Sequence, residues 1–359
     1  MKKILFCITN LNSTGGTERV SSIIASKFAS LGFDVTFLSL VQGDHPYFKL
    51  DEKVKVISLF PLKKRVSFTR HFLTVAWKLR RIVRNGEFET LVVVDTTLFR
   101  YVATACMGLN VKKIAWEHFN FNSRSSTKRR GLGRKLAAKY SDVVVTLTHT
   151  DADYWRKGLK EINSSIFPIP NPVEKKLVQS KPSKKNKTVL SVGRLEDQKG
   201  FDLLLKAWKL VCNVNNDWVL KIVGSGSQEN ILKKYVEDNQ LNKRVVFEPA
   251  TKTIDDHYSS ASIYCLSSRY EGFPMVLLEA QQFGLPVVAF DCPTGPSEMI
   301  SNGQNGLLIE PDNVFELSKG ILHLIHMDDY DYSEMSISAK RMVAQYDIDS
   351  VMKKWLEII

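Results

Sequence analysis

In four stretches of the chain, charged side chains stand beside glycines where a β-branched run gives way to a helical pattern. The densest is Ser267-Ser-Arg-Tyr-Glu-Gly-Phe-Pro-Met-Val-Leu-Leu-Glu279. Gly272, Phe273 and Pro274 mark a helix start, proline being suited to a first helical turn. Glu271 then stands in the loop and Glu279 in the second turn, eight residues on. Two carboxylates so spaced can grip two hydroxyl-bearing parts of one ligand, on either side of a phosphate lodged at the helix N-terminus. Glu279 follows Val276, Leu277 and Leu278, and a carboxylate on so apolar a helix needs a partner; a surface position for it is the plainer alternative.

The second stretch is Val192-Gly-Arg-Leu-Glu-Asp-Gln-Lys-Gly-Phe201, again between a strand and a helix. Arg194 offers a planar fork to phosphate and Lys199 a point charge, with Gly200 permitting the turn. Together they can neutralise a diphosphate without a divalent ion. In Val223-Gly-Ser-Gly-Ser227, Gly224 and Gly226 suit another phosphate turn, although many such turns bind nothing. Gly15 and Gly16, within Asn12-Ser-Thr-Gly-Gly-Thr-Glu-Arg19, let backbone approach a ligand before a helix expected from near Thr17, or serve only a tight turn. His118, in Trp116-Glu-His-Phe119, sits at a strand end, where a histidine alone is more often a satisfied polar residue than a catalyst, and His149 is read as structural only. Three Asp-x-Asp triplets, at Asp151 and Asp153, Asp329 and Asp331, and Asp347 and Asp349, suggest metal chelation. Each falls near a helix terminus, where acidic residues are favoured anyway, so no metal is expected.

These loops must be held by strands. Short apolar runs recur at Ile4–Ile8, Val35–Leu40, Val54–Leu59, Leu91–Val94, Lys113–Trp116 and Val143–Leu147 with helical patterns between them, which predicts a parallel α/β sheet. A lysine-rich stretch, Ser180 to Lys187, follows. The alternation then restarts at Thr188–Val192, Trp218–Val223, Val245–Glu248, Ile263–Leu266, Pro286–Phe290 and Gly306–Ile309. The expectation is two Rossmann-like doubly wound domains, 1–172 and 188–341, with a linker over 173–187 and ligands at strand carboxyl ends facing a central cleft. A closing helical segment, 342–359, should carry Trp355 on its apolar side and pack back on the first domain.

Length and composition agree with two cores: 359 residues, 44% hydrophobic. Five scattered cysteines without a Cys-x-x-Cys pair argue against structural zinc and for reduced thiols in a cytoplasmic protein. No run approaches the ~18 apolar residues of a membrane span, and polar residues from Asn10 onward interrupt any signal-peptide core. Charge is uneven. Residues 1–170 hold 28 Lys and Arg against 13 Asp and Glu; residues 171–359 hold 22 against 25. The positives cluster at Lys63, Lys64, Arg65 and Arg70, at Lys78, Arg80, Arg81 and Arg84, and at Arg124, Lys128, Arg129, Arg130, Arg134, Lys135 and Lys139. Three clusters in one lobe favour a polyanionic partner, above all an anionic membrane surface. Nucleic acid is disfavoured, because interleaved aromatics and a reading helix are missing.

The spacing of Glu271 and Glu279, the Gly-Arg-Leu with Lys199-Gly200, and the early Gly15-Gly16 together resemble the retaining glycosyltransferases of family 4, which have the GT-B fold. The resemblance implies that Arg194 and Lys199 hold a donor diphosphate, Glu271 and the following backbone N–H groups the donor sugar, and Glu279 the ribose. It places Gly15 and Gly16 against phosphate or acceptor, and His118 beside the transferred sugar. Asp291-Cys-Pro-Thr-Gly-Pro-Ser-Glu-Met-Ile300, with Gly295, Pro296 and Glu298, resembles a variant in enzymes of bacterial O-antigen, capsule and lipid-linked oligosaccharide synthesis. The implied donor is a UDP-hexose or UDP-N-acetylhexosamine, the acceptor a lipid-linked saccharide at the inner face of the cytoplasmic membrane. A sugar-nucleotide epimerase of the same architecture and a basic nucleic-acid-binding protein are the alternatives.

Overall fold

The computed structural model describes residues 2–63, 67, 70–122, 128–174, 182–251 and 253–359. The chain forms two units: Met1–Pro172 with Ile348–Ile359, and Val173–Asp347.

In the first unit the strands are β1 (Lys3–Asn10), β2 (Asp34–Val41), β3 (Lys55–Phe60), β4 (Thr90–Val94), β5 (Lys112–Trp116), β6 (Val143–Thr146) and β7 (Ser165–Pro168). They make one parallel sheet in the order β3-β2-β1-β4-β5-β6-β7. The helices are α1 (Gly16–Ser30), α2 (Phe72–Gly86), α3 (Phe99–Ala105), α4 (Lys128–Tyr140) and α5 (His149–Gly158). β4 is buried throughout, as a central parallel strand covered on both faces must be. β7 is the strand that the sequence pattern missed. Its Ser165-Ile-Phe-Pro168 is exposed to half-buried edge strand ending in proline, which leaves no apolar run to read.

The second unit repeats the plan with β8 (Thr188–Val192), β9 (Val219–Val223), β10 (Val245–Glu248), β11 (Ile263–Leu266), β12 (Val287–Phe290) and β13 (Gly306–Ile309), ordered β10-β9-β8-β11-β12-β13. Its helices are α6 (Phe201–Val214), α7 (Glu229–Asp238), α8 (Ile254–Ser260), α9 (Met275–Gln282), α10 (Pro296–Met299), α11 (Val314–His326) and α12 (Asp329–Val343). Trp208, Leu204, Ile222, Ile263 and Ile321 lie fully buried in one core.

The closing segment departs from expectation. α12 runs through Met342 and ends at Val343, and a single 3-10 turn, Ala344–Tyr346, precedes α13 (Ile348–Glu357). Residues 342–347 therefore belong to the second unit, where Val173 pairs with Asp347 and its N–H donates to the Tyr346 carbonyl at 2.8 Å. Only α13 joins the first unit. There Trp355 is fully buried, 4.8 Å from the Trp116 ring and 6.3 Å from Phe28. The residues expected as linker are also structured in part: Lys184–Asn186 form a 3-10 turn capped by Ser183, while Ser180 and Lys181 lie outside the described residues.

Among the described residues no helix is long and apolar enough to cross a membrane. All five cysteines are free thiols, four of them buried.

Candidate functional site

In a doubly wound sheet the ligand crevice opens where the strand order reverses, between the loops that leave two neighbouring strands in opposite directions. In the second unit those strands are β8 and β11. The loop after β8 passes Arg194, makes a 3-10 turn over Asp197–Lys199 and turns at Gly200 with φ 62°. That conformation favours glycine, and a Cβ at Gly200 would also overlap the Ser267 carbonyl. The loop after β11 runs from Ser267 to Pro274 and opens α9.

The two loops are laced together. Arg269 forks onto Asp202 with both contacts at 2.8 Å, its N–H donates to the Gln198 carbonyl, and Gln198 donates to the Tyr270 carbonyl. At the centre Lys199 Nζ donates to Glu271 Oε1 at 2.7 Å, and Ser268 Oγ donates to the same oxygen at 2.7 Å. Glu271 is buried and Lys199 nearly so. The two side chains expected on separate parts of a ligand thus meet each other.

Arg194 is exposed and forms no ion pair among the described residues. The N–H groups of Gly272 and Phe273 likewise find no acceptor among them. Pro274 is the cap of α9, one residue before the first turn expected for it. Its ring packs where any Cβ on Gly295 (φ 106°) would lie, and Thr294 Oγ1 donates to the Glu271 carbonyl, so the loop before α10 braces this corner. Glu279 is half-buried and accepts from the Tyr258 hydroxyl at 3.1 Å. Burial, together with the charge on Glu279, holds that phenol well above its ordinary pKa.

Gly224 and Gly226 have a packing reason for being glycine. A Cβ on Gly224 would overlap the Gly193 carbonyl, and one on Gly226 the Leu195 carbonyl. The turn after β9 lies flat against the Arg194 loop, with Leu195 N–H donating to the Ser225 carbonyl at 3.0 Å. Glu196 accepts from both Ser227 N–H and Oγ, which holds its carboxyl below the usual range.

In the first unit the reversal falls between β1 and β4. Gly15 caps α1, which starts at Gly16, and a Cβ on Gly15 would overlap the Glu18 carboxylate. Burial raises the Glu18 pKa, and the nearby negative charge of Asp95, just after β4, adds to it. After β5 comes a residue the sequence reading passed over: Glu117, 1% exposed, which accepts from Arg134 Nε (2.7 Å), Arg130 Nη1 (2.9 Å), Thr96 Oγ1 (2.8 Å) and the N–H groups of His118 and Phe119. Arg130 also forks onto Asp95, and Arg134 donates to the Phe121 carbonyl. The signal for this hub was the i, i+4 spacing of the two arginines on α4, read as surface charge.

This corrects the account of the basic clusters. Arg130 and Arg134 are internal cations, and Lys78 and Arg80 are spent on the carbonyls of Leu59, Ala105 and Met107. Lys64, Arg65 and Arg124 lie outside the described residues.

The hub fixes the turn that carries His118. Its ring lies 4.5 Å from that of Trp116, tilted by 41°, its Nε2 is buried without a hydrogen-bond partner among the described residues, and burial lowers its pKa to about 4. The imidazole is neutral at pH 7. The Asp-x-Asp triplets sit at helix starts. Asp151 N–H donates to the Thr148 cap of α5 while Asp151 Oδ1 accepts from Phe121 N–H, Asp331 N–H donates to the Asp328 cap of α12, and Asp349 pairs with Lys27. Asp329 and Asp347 occupy the same helix ends. Among the described residues no group of three or more His, Cys, Asp or Glu is arranged to hold a metal ion. His149 opens α5.

Two parallel sheets of this order make a doubly wound α/β protein, with an ammonium, an exposed guanidinium and a helix start gathered at the switch point of the second sheet. Comparison with known proteins agrees. The chain matches Glycosyltransferase Family 4 over residues 14–177 and Glycosyl transferases group 1 over residues 173–342. It is 40% identical over 360 residues to an uncharacterized glycosyltransferase of Haemophilus influenzae, covering all of both chains. It is 27% identical to a Campylobacter jejuni α-1,4-N-acetyl-D-galactosaminyltransferase acting on GalNAc-GalNAc-diNAcBac-PP-undecaprenol, covering 100% of this chain and 98% of that one. Among solved structures, a single-substitution mutant of S. aureus TarM in complex with fondaparinux, α-GlcNAc-glycerol and UDP superposes with a TM-score of 0.82 at 17% identity, over 100% and 99% of the two chains. The chain belongs to the family 4 glycosyltransferases and has the GT-B fold.

Proposed function

We propose that this glycosyltransferase moves a hexose or N-acetylhexosamine from a UDP-linked donor to a hydroxyl of a lipid-linked saccharide, with retention of anomeric configuration and without a divalent metal. The observation that carries the reading is the corner formed by Lys199, Glu271 and the start of α9. It offers one ammonium, one buried carboxylate and two N–H groups without an acceptor among the described residues, and the exposed Arg194 lies on the same loop as Lys199.

A diphosphate leaving group gathers charge as the glycosidic bond breaks, and preorganised cations and N–H dipoles stabilise that charge without reorganising. Arg194 and Lys199 supply the cations. Glu271, displaced from Lys199 by the phosphate, is free to accept from sugar hydroxyls, and Glu279 from the ribose. His118 contributes a neutral polar ring. The lipid-linked acceptor is suggested by the Campylobacter relative's substrate. The basic first unit suits work on the cytoplasmic face of an anionic membrane.

The test is hydrolysis of a panel of nucleotide sugars in EDTA, which requires no acceptor. One UDP-sugar turned over by the intact chain and by neither Glu271→Ala nor Arg194→Ala is the expected result. Turnover that needs added metal, or none with any donor, refutes it.

A further inference from the structure

Helix α2 has no acidic residue and turns Leu73, Trp77, Arg81 and Arg84 to solvent. At 100° per residue these four fall within a sector of about 80°. Leu73 is 78% exposed and Trp77 60%. The opposite stripe, Val75, Ala76, Leu79 and Val83, is buried in the core. The helix therefore presents apolar groups on two sides, where a surface helix needs only one. Exposed Met107 lies beside it, its carbonyl being held by Arg80 at 2.7 Å.

Charge selects the occupant of this face. Arg70, Arg81 and Arg84 form no ion pair among the described residues, and a second copy of the face would set arginine against arginine. A cavity of about 350 Å³ lies between Trp77, Arg81 and Ser58, and Ser58 Oγ is buried there without a partner. Large apolar groups among arginines that form no ion pair with the described residues, one of them 5.8 Å over the Trp77 ring, match an interface of acyl chains and headgroup phosphates.

We propose that this face of α2 is the docking surface for a bilayer containing anionic phospholipid, with Leu73 and Trp77 entering the acyl boundary and Arg70, Arg81 and Arg84 meeting phosphates. The inference rests on the lipid-linked acceptor reading and names the surface through which such an acceptor is reached. It also replaces bulk charge by particular residues, since Lys78, Arg80, Arg130 and Arg134 are engaged internally.

Of the six tryptophans only Trp77 reaches solvent, the other five being at most 4% exposed, so tryptophan emission reports this face. Phosphatidylglycerol vesicles added to the full chain at low salt should shift the emission to the blue and shield it from acrylamide; phosphatidylcholine vesicles should do neither. Trp77→Phe should keep co-sedimentation and lose the optical change. Leu73→Glu with Trp77→Glu should reduce the vesicle-bound fraction roughly tenfold, with an unchanged thermal midpoint and intact donor hydrolysis. Equal binding to both vesicles, anionic binding untouched by the double substitution, or a vesicle-free dimer that Trp77→Glu dissociates would overturn the proposal. The last result gives the face to a second copy. Donor hydrolysis by the unsubstituted chain is scored separately, so a failed catalytic reading and a failed docking surface are distinguishable.

Discussion

Lys199 donates to Glu271 Oε1 at 2.7 Å across the switch point of the second sheet, so each of these two charges neutralises the other. In the proposed reading a donor diphosphate competes with Glu271 for the ammonium, and that exchange releases the carboxylate for hydroxyl groups. Removing Lys199 leaves Glu271 buried with Ser268 as its remaining side-chain donor. Lys199→Met should cost about 3 kcal/mol of stability, because an uncompensated buried charge remains. Adding Glu271→Gln should recover part of it. Donor hydrolysis should fall by roughly 100- to 1,000-fold in both variants. Thermal melts beside hydrolysis rates check this, and recovered stability together with recovered activity would contradict it.

The second glycine pair acts through packing. Gly224→Ala places a methyl on the Gly193 carbonyl and must push the Arg194 loop away from β9. Overpacking of this kind costs about 1–3 kcal/mol. The expected outcome is a donor KM raised roughly tenfold, because Arg194 moves with its loop. An unchanged KM with a lowered melting point would confine Gly224 to stability.

Tyr258 and Glu279 would form the other end of the proposed donor site. Tyr258→Phe removes the hydroxyl that donates to Glu279 at 3.1 Å while keeping the buried ring. The loss of one hydrogen bond to a charged group is worth about 2 kcal/mol. If Glu279 holds the ribose, donor KM should rise by about tenfold while kcat changes little. A kcat loss at constant KM would argue that Glu279 serves the reacting end.

How far the sequence foretold these features depended on whether the signal was local. Both sheets were readable from β-branched runs, and the loops after β8 and β11 from glycine beside charge, because a strand end and a helix cap leave their marks within ten residues. The Lys199–Glu271 contact was not readable, since it joins residues 72 positions apart that only the strand order brings together. Glu117 was hidden for the same reason: α4 and the turn before α3 supply its side-chain donors. Arg130 and Arg134 show the cost of reading charge by count, since a cation on a helix looks the same in sequence whether it faces water or a buried carboxylate.

The pH dependence of the first unit tests burial at two sites whose effects oppose. Burial lowers the His118 pKa to about 4 and raises that of Asp151 to about 7. As pH falls from 6.5 toward 4 the unfolded histidine takes a proton that the folded one refuses, so this contribution to stability is present above 6.5 and lost on acidification. As pH rises from about 4 to 7 the unfolded aspartate loses a proton that the folded one keeps, so its contribution is present at acid pH and lost on the way up. Each is worth on the order of 3 kcal/mol at about 1.4 kcal/mol per pH unit. In the intact chain the two slopes should nearly cancel. Asp151→Asn keeps an oxygen for Phe121 N–H, which now donates at 2.7 Å, and removes the second slope. Relative to the intact chain, its thermal midpoint should gain steadily between pH 4.5 and 7. His118→Gln removes the first slope, and its midpoint should lose ground over the same interval. Midpoint differences of the same sign in both variants would mean that one of these groups is solvated in the folded protein. Donor hydrolysis should show no inflection from His118 above about pH 5, because its imidazole is already neutral there.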